Sequence, residues 1–105
     1  IEFCQKNNIA IIAYSPLGGL KVRRGERSVI QFDAISSVAK KLNCSPQALT
    51  LAMMVEKFQL IPITGARNEA HAIDATQGAA ALLTDGKLNV SSSDRAALNA
   101  VWKAK

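Results

Sequence analysis

The residues best equipped for chemistry fall in two short stretches, Tyr14-Ser15-Pro16-Leu17-Gly18-Gly19 and Thr64-Gly65-Ala66-Arg67-Asn68, with His71 close behind the second. Tyr14 offers a flat ring that can stack on a planar group, and Ser15 adds a hydroxyl. Gly18 and Gly19, without a Cβ, leave backbone N–H groups open to an anion. In the second stretch Arg67 stands at a helix start, so a guanidinium joins unpaired N–H groups, a combination that seats phosphate. His71, one turn on, can add a hydrogen bond. Each stretch also has a plainer structural reading. The first is then a strand-end tyrosine over a Pro-Gly turn, the second a capped helix with an exposed arginine and a surface histidine.

Bond-breaking groups are harder to find. No pair of carboxylates falls in either stretch, and Asp33, Asp74 and Asp94 read as solvated helix residues or caps. Ser91 to Ser93 open a helix with no histidine nearby in sequence, and neither the Walker pattern nor G-x-G-x-x-G occurs. His71 is the single histidine, and Cys4 and Cys44 form no C-x-x-C pair, so no metal site is expected. Each cysteine is expected to be a reduced, partly buried thiol, which suits a cytoplasmic protein. No stretch approaches the roughly 18 apolar residues of a membrane span, and no signal peptide opens the chain, so no membrane partner is expected.

Thirteen Lys and Arg against eight Asp and Glu give a net charge of +5, densest at Lys21, Arg23, Arg24 and Arg27. No aromatic residue is interleaved with these four, unlike the stacking platforms of single-strand binders. The segment reads as a solvated basic loop, and nucleic acid is not expected as a partner.

Positioning these groups falls to a chain of 105 residues, enough for one unit. A closed eight-stranded α/β barrel needs at least about 200. Residues 2–7 read as the end of a helix stopped by Asn7-Asn8, since Asn tolerates the left-handed conformation. Ile9 to Tyr14 is a continuous apolar run, the pattern of a parallel strand buried on both faces. Helical spacing begins at Gln31, with Ala34, Ile35, Val38, Ala39 and Leu42 on one side. A second helix starts with Ser45 as N-cap and Pro46 at its first position, and is apolar most of the way round. Leu60 to Thr64 is the second strand, and a crossover through helices makes the two strands parallel. Asn68 caps a helix to about Leu83, with Ile73, Ala80 and Leu83 inward and Gly78 as a weak point. Thr84 to Lys87 is a turn. Ser91-x-x-Asp94 starts a last helix with Ala97, Leu98, Val101 and Trp102 in one stripe. Two parallel strands cannot cover their own faces and edges, which implies either missing strands or an oligomer.

Ala13-Tyr14-Ser15-Pro16-Leu17-Gly18 resembles the seventh-strand motif of the aldo-keto reductases. Ile61-Pro62-Ile63-Thr64-Gly65-Ala66-Arg67-Asn68 is similar to that family's strand-eight segment, and Ser45-Pro46-Gln47-Ala48 to the helix pair between. Ser91 to Trp102 resembles the closing helix, so the resemblance covers nearly the whole chain. It implies that residues 1–105 are the C-terminal third of an α/β (β/α)8 TIM barrel: two parallel strands with flanking helices, cut from a longer chain. The intact enzyme would reduce aldehydes and ketones by hydride transfer from NADPH. The resemblance places Tyr14 on the nicotinamide and Ser15, Leu17 and Gly18 along the pyrophosphate. It places Gly65, Arg67 and Asn68 at the adenosine 2′-phosphate, with His71 beside the ribose phosphate.

Two departures stand out. Where the family has a Glu-Asn pair at the adenine, this chain has Asp74 and Ala75, so adenine recognition is expected to be weaker. The family's Asp-Tyr-Lys-His proton relay is absent, and Tyr14 matches the stacking tyrosine, not the catalytic one. No catalytic residue is therefore assigned, and the segment alone is expected to be inactive. Its partners would be the nicotinamide cofactor and, in the intact enzyme, a carbonyl substrate. The alternative is a non-catalytic truncated fragment that self-associates or binds polyanions through Lys21 to Arg27.

Overall fold

The computed structural model describes residues 1–19, 25 and 28–103. Lys21, Arg23, Arg24 and Arg27, the basic segment, lie outside the described residues. A short helix α1 (Glu2–Lys6) ends at Asn7, and Asn8 turns the chain at φ 55°. Strand β1 (Ile11–Tyr14) follows. Helix α2 (Asp33–Lys41) comes after a single 3-10 turn at Val29–Gln31, and Asn43 at φ 54° separates it from α3 (Pro46–Phe58). Gln59, left-handed at φ 53°, ends α3 and sends the chain into β2 (Leu60–Ile63). The strands pair in parallel, Ile11 opposite Leu60 and Tyr14 opposite Ile63. The Gln5 amide donates to the Phe58 carbonyl at 3.2 Å, tying α1 to the end of α3, where β2 begins.

Helices, not the sheet, hold the core. Ile35, Val38 and Ala39 of α2 meet Leu49, Ala52 and Met53 of α3, with Leu88, Leu98 and Val101 closing the cluster. Seven consecutive residues of α3, Ala48 to Met54, are buried, as expected of a helix with neighbours on several sides. The expectation that β1 is buried on both faces is corrected. Along both strands exposure alternates: Ile11, Ala13, Leu60 and Pro62 are half-buried, while Ile12, Tyr14, Ile61 and Ile63 are exposed. Among the described residues the helices reach one face only, so the apolar run marks two faces of which these residues cover one.

The helix after β2 also differs from expectation. It begins as α4 (Glu69–Ile73), widens to a π-helical turn over Asp74–Gly78 and ends as α5 (Ala79–Ala81). A π turn inserts a residue, so the inward stripe slips. Ile73 and Ala80 are exposed, Ala79 is buried, and Leu83 has left the helix for a strand. That strand, β3 (Leu83–Thr84), pairs with β4 (Lys87–Leu88) in an antiparallel hairpin. Asp85 and Gly86 both take positive φ, 52° and 76°, the Asp-Gly turn that two-residue hairpins favour. The last helix, α6 (Ser92–Lys103), buries Leu98 and Val101 but leaves Ala97 exposed, so the expected stripe is narrower by one residue. Phe58 and Trp102 meet edge to face with centroids 5.3 Å apart, packing the ends of α3 and α6 together.

Candidate functional site

Because Tyr14 lies opposite Ile63, the two chemically equipped loops leave the sheet side by side at its carboxyl edge. Ser15 turns the first loop at φ 48°, and its carbonyl accepts the Gly18 N–H at 3.0 Å. Gly19 is obligatory here: a Cβ on it would sit 2.7 Å from Ser15 Cβ and Oγ, and its φ is +50°. Further along, the buried Ser28 reaches back, its hydroxyl donating to the Leu17 carbonyl at 2.9 Å. The Ser28 N–H donates to Gln31 Oε1 at 2.8 Å, which fixes the anchor itself.

In the second loop Asn68 is the N-cap of α4, with Oδ1 accepting the His71 N–H at 2.9 Å. Its side-chain oxygen is thus committed to the helix. Between the loops and the start of α3 lies a cavity of about 340 Å³. Leu17, Gly65 and His71 are in its wall, together with Ser45, Thr64 and Asp74. Tyr14, Ser15, Gly18, Arg67 and Asn68 are not among its lining residues. Tyr14 is 85% exposed, and Ser15, Arg67 and Asn68 are exposed on the adjoining loops.

Ser45 escaped the reading from sequence as a site residue, and Asp74, which the resemblance set at the adenine, joins it in the wall. Ser45 Oγ accepts the Ala48 N–H at 2.9 Å, the expected cap, and also donates to Asp74 Oδ2 at 2.6 Å. Asp74 opens the π turn, and its other oxygen lies over Gly78, where a Cβ would come within 3.2 Å of Oδ1. The cap at Ser45 was legible. Its second bond, to a residue on the far side of β2, exists only in the folded chain. The neighbouring Cys44 thiol is pushed up from its ordinary pKa, first by burial and then by the Asp74 charge. Both cysteines are unpaired and half-buried, as expected. Among the described residues no cluster suits a metal, and no helix is long and apolar enough to cross a membrane.

Comparison with known proteins follows the same outline. No curated protein matches the chain significantly. Among solved structures, it is similar to MGS-M4, an aldo-keto reductase enzyme from a Medee basin deep-sea metagenome library, at a TM-score of 0.69 and 16% identity. That match covers 95% of this chain and 32% of the other, so the chain spans about a third of that enzyme's length. The likeness is one of fold, α/β with parallel strands and flanking helices. The model of the Aldo/keto reductase family matches residues 1–90, from α1 through both loops and the hairpin, and on that match the chain belongs to the aldo/keto reductase family.

Proposed function

We propose that residues 1–105 are the C-terminal, dinucleotide-holding part of a (β/α)8 reductase that converts aldehydes and ketones to alcohols with NADPH. The observation that carries the reading is the pairing of Tyr14 with Ile63, which brings both loops to one edge beside the cavity. The residues fit such a group in size and chemistry. At about 340 Å³ the cavity is near the lower end of small-molecule sites, room for the nucleoside end of a dinucleotide and not for all of it. The rest would lie across the open sheet edge, where the 85% exposed Tyr14 ring offers a stacking surface.

Each residue then has a task. Tyr14 stacks on the nicotinamide; Ser15, Leu17 and Gly18 follow the pyrophosphate through hydroxyl and backbone groups. Gly65, Arg67, Asn68 and His71 hold the adenosine end, with the Arg67 guanidinium as the cation for its phosphate. Ala75, in the cavity wall, brings no amide to the adenine. When bound, the dinucleotide supplies a hydride to a carbonyl carbon. The proton for the carbonyl oxygen comes from residues outside this sequence, so the segment binds cofactor and does not turn over.

Titration with NADPH tests this. Saturable binding with a micromolar Kd is expected, weakened about tenfold in Arg67→Ala by loss of a charge-assisted contact. With NADPH and a reactive aldehyde, the reduced-nicotinamide absorbance is expected to stay flat. Binding that ignores Arg67, falls steeply with salt and depends on Lys21 to Arg27 would instead mark a polyanion-binding fragment.

A further inference from the structure

The first loop holds a backbone shape that its own residues do not all favour. Within residues 15–19, Ser15, Gly18 and Gly19 take positive φ, at 48°, 110° and 50°. Glycine does so freely, but serine stays there only where surrounding contacts hold it. Inside the loop the Gly18 N–H closes onto the Ser15 carbonyl at 3.0 Å. Among the described residues, the side chain that bonds this loop from outside is Ser28, whose hydroxyl donates to the Leu17 carbonyl at 2.9 Å. Ser28 is only 2% exposed, so its hydroxyl would be left buried without that acceptor, and the bond is costly to release. The backbone of Ser28 is fixed in turn. Its N–H donates to Gln31 Oε1 at 2.8 Å and its carbonyl accepts the Gln31 N–H at 3.0 Å, which closes the turn at Val29–Gln31. Ile30 of that turn packs against the core cluster of α2 and α3. A continuous path therefore runs from the core through Ser28 to Leu17, which lines the cavity.

We infer that Ser28 is a positioning residue of the proposed dinucleotide site. It stands outside the cavity wall, and its hydroxyl sets the Leu17 side of that wall in place and with it the affinity for the dinucleotide. The inference rests on the dinucleotide reading above and adds to it the residue that carries the order of the core into the first loop.

The test is calorimetric titration of the unaltered chain, Ser28→Ala and Ser28→Thr with NADPH, at a temperature where thermal melts show each of them folded. Ser28→Ala is expected to weaken binding by about three- to tenfold, the scale of one hydrogen bond. Ser28→Thr keeps the hydroxyl and is expected to bind within about twofold of the parent. A purely structural Ser28 would lower the melting temperature and leave the Kd of the folded chain where it was. That result, Ser28→Ala binding as tightly as the parent, overturns this inference and leaves the dinucleotide reading standing. So does equal weakening in the Ala and Thr variants, since the hydroxyl is then not the cause. If Ser28→Ala does not fold, Gln31→Ala decides: at an exposed position it removes the acceptor of the Ser28 N–H and is expected to weaken binding at least about twofold, and an unchanged Kd overturns the inference. If NADPH does not bind the folded, unaltered chain, the dinucleotide reading falls, and this inference with it.

Discussion

Around the Glu56 carboxylate three parts of the chain meet. Arg95 of α6 donates to both of its oxygens and the Leu88 N–H of the hairpin to one, while a third Arg95 contact reaches the Leu88 carbonyl at 2.7 Å. The Arg95 hydrogen bond is the main reason the Glu56 carboxyl is held below the usual carboxylate range, against partial burial, which acts the other way. A carboxyl lowered in the folded state contributes stability at pH values above its ordinary titration and loses it as pH falls through the folded value. The clamp is therefore intact near neutrality and fails on the acid side of the ordinary glutamate pKa. Glu56→Gln is expected to cost about 1–3 kcal/mol at neutral pH, the scale of a hydrogen bond to a charged group. Urea melts should show that difference shrinking in acid. A variant as stable as the parent at neutral pH would mean that the clamp adds nothing.

Between elements, the clearest consequence belongs to the π turn. Gly78 would ordinarily be a place where Ala gains about 1 kcal/mol of helix propensity. Here the added methyl meets Asp74 Oδ1 at 3.2 Å, and Asp74 is tethered to Ser45. Gly78→Ala is thus expected to forfeit that gain, with a melting temperature no higher than the parent's. A clear rise would show that the Asp74 side chain gives way freely. The same turn explains where the sequence could and could not be read. Signals confined to a few residues, such as Ser45-Pro46, the Asn68 cap and the two apolar strands, appeared where they were expected. The Ile73, Ala80 and Leu83 stripe did not, because one π turn breaks the 3.6-residue period on which it was drawn. Asp85-Gly86 was legible as a turn, but its flanking strands are only two residues each, too short to alternate visibly. The site divided in the same way. Both loops were evident from residue type, while the Ser45–Asp74 bond joins positions separated by α3 and β2 and needed the fold.

For the molecule as a whole, the exposed face of β1 and β2 is the dominant feature. Ile12, Tyr14, Ile61 and Ile63 are 61%, 85%, 53% and 56% exposed on a sheet of two strands whose outer edges pair with no described strand. A contiguous apolar patch with open strand edges favours association. Sedimentation velocity is expected to show weight rising with concentration, and Ile61→Lys to suppress the rise severalfold. A chain that stays monomeric throughout would show that the open face does not drive assembly by itself. That face shares its carboxyl edge with the proposed dinucleotide site, so the decisive measurement should report on individual residues. Backbone amide NMR of the chain titrated with NADPH does so. Saturable shifts are expected at Tyr14, Leu17, Gly65, Arg67 and His71, with Glu56, Leu88 and Arg95 unmoved. Shifts confined to positions 21–27, or none at saturating cofactor, would contradict the dinucleotide reading.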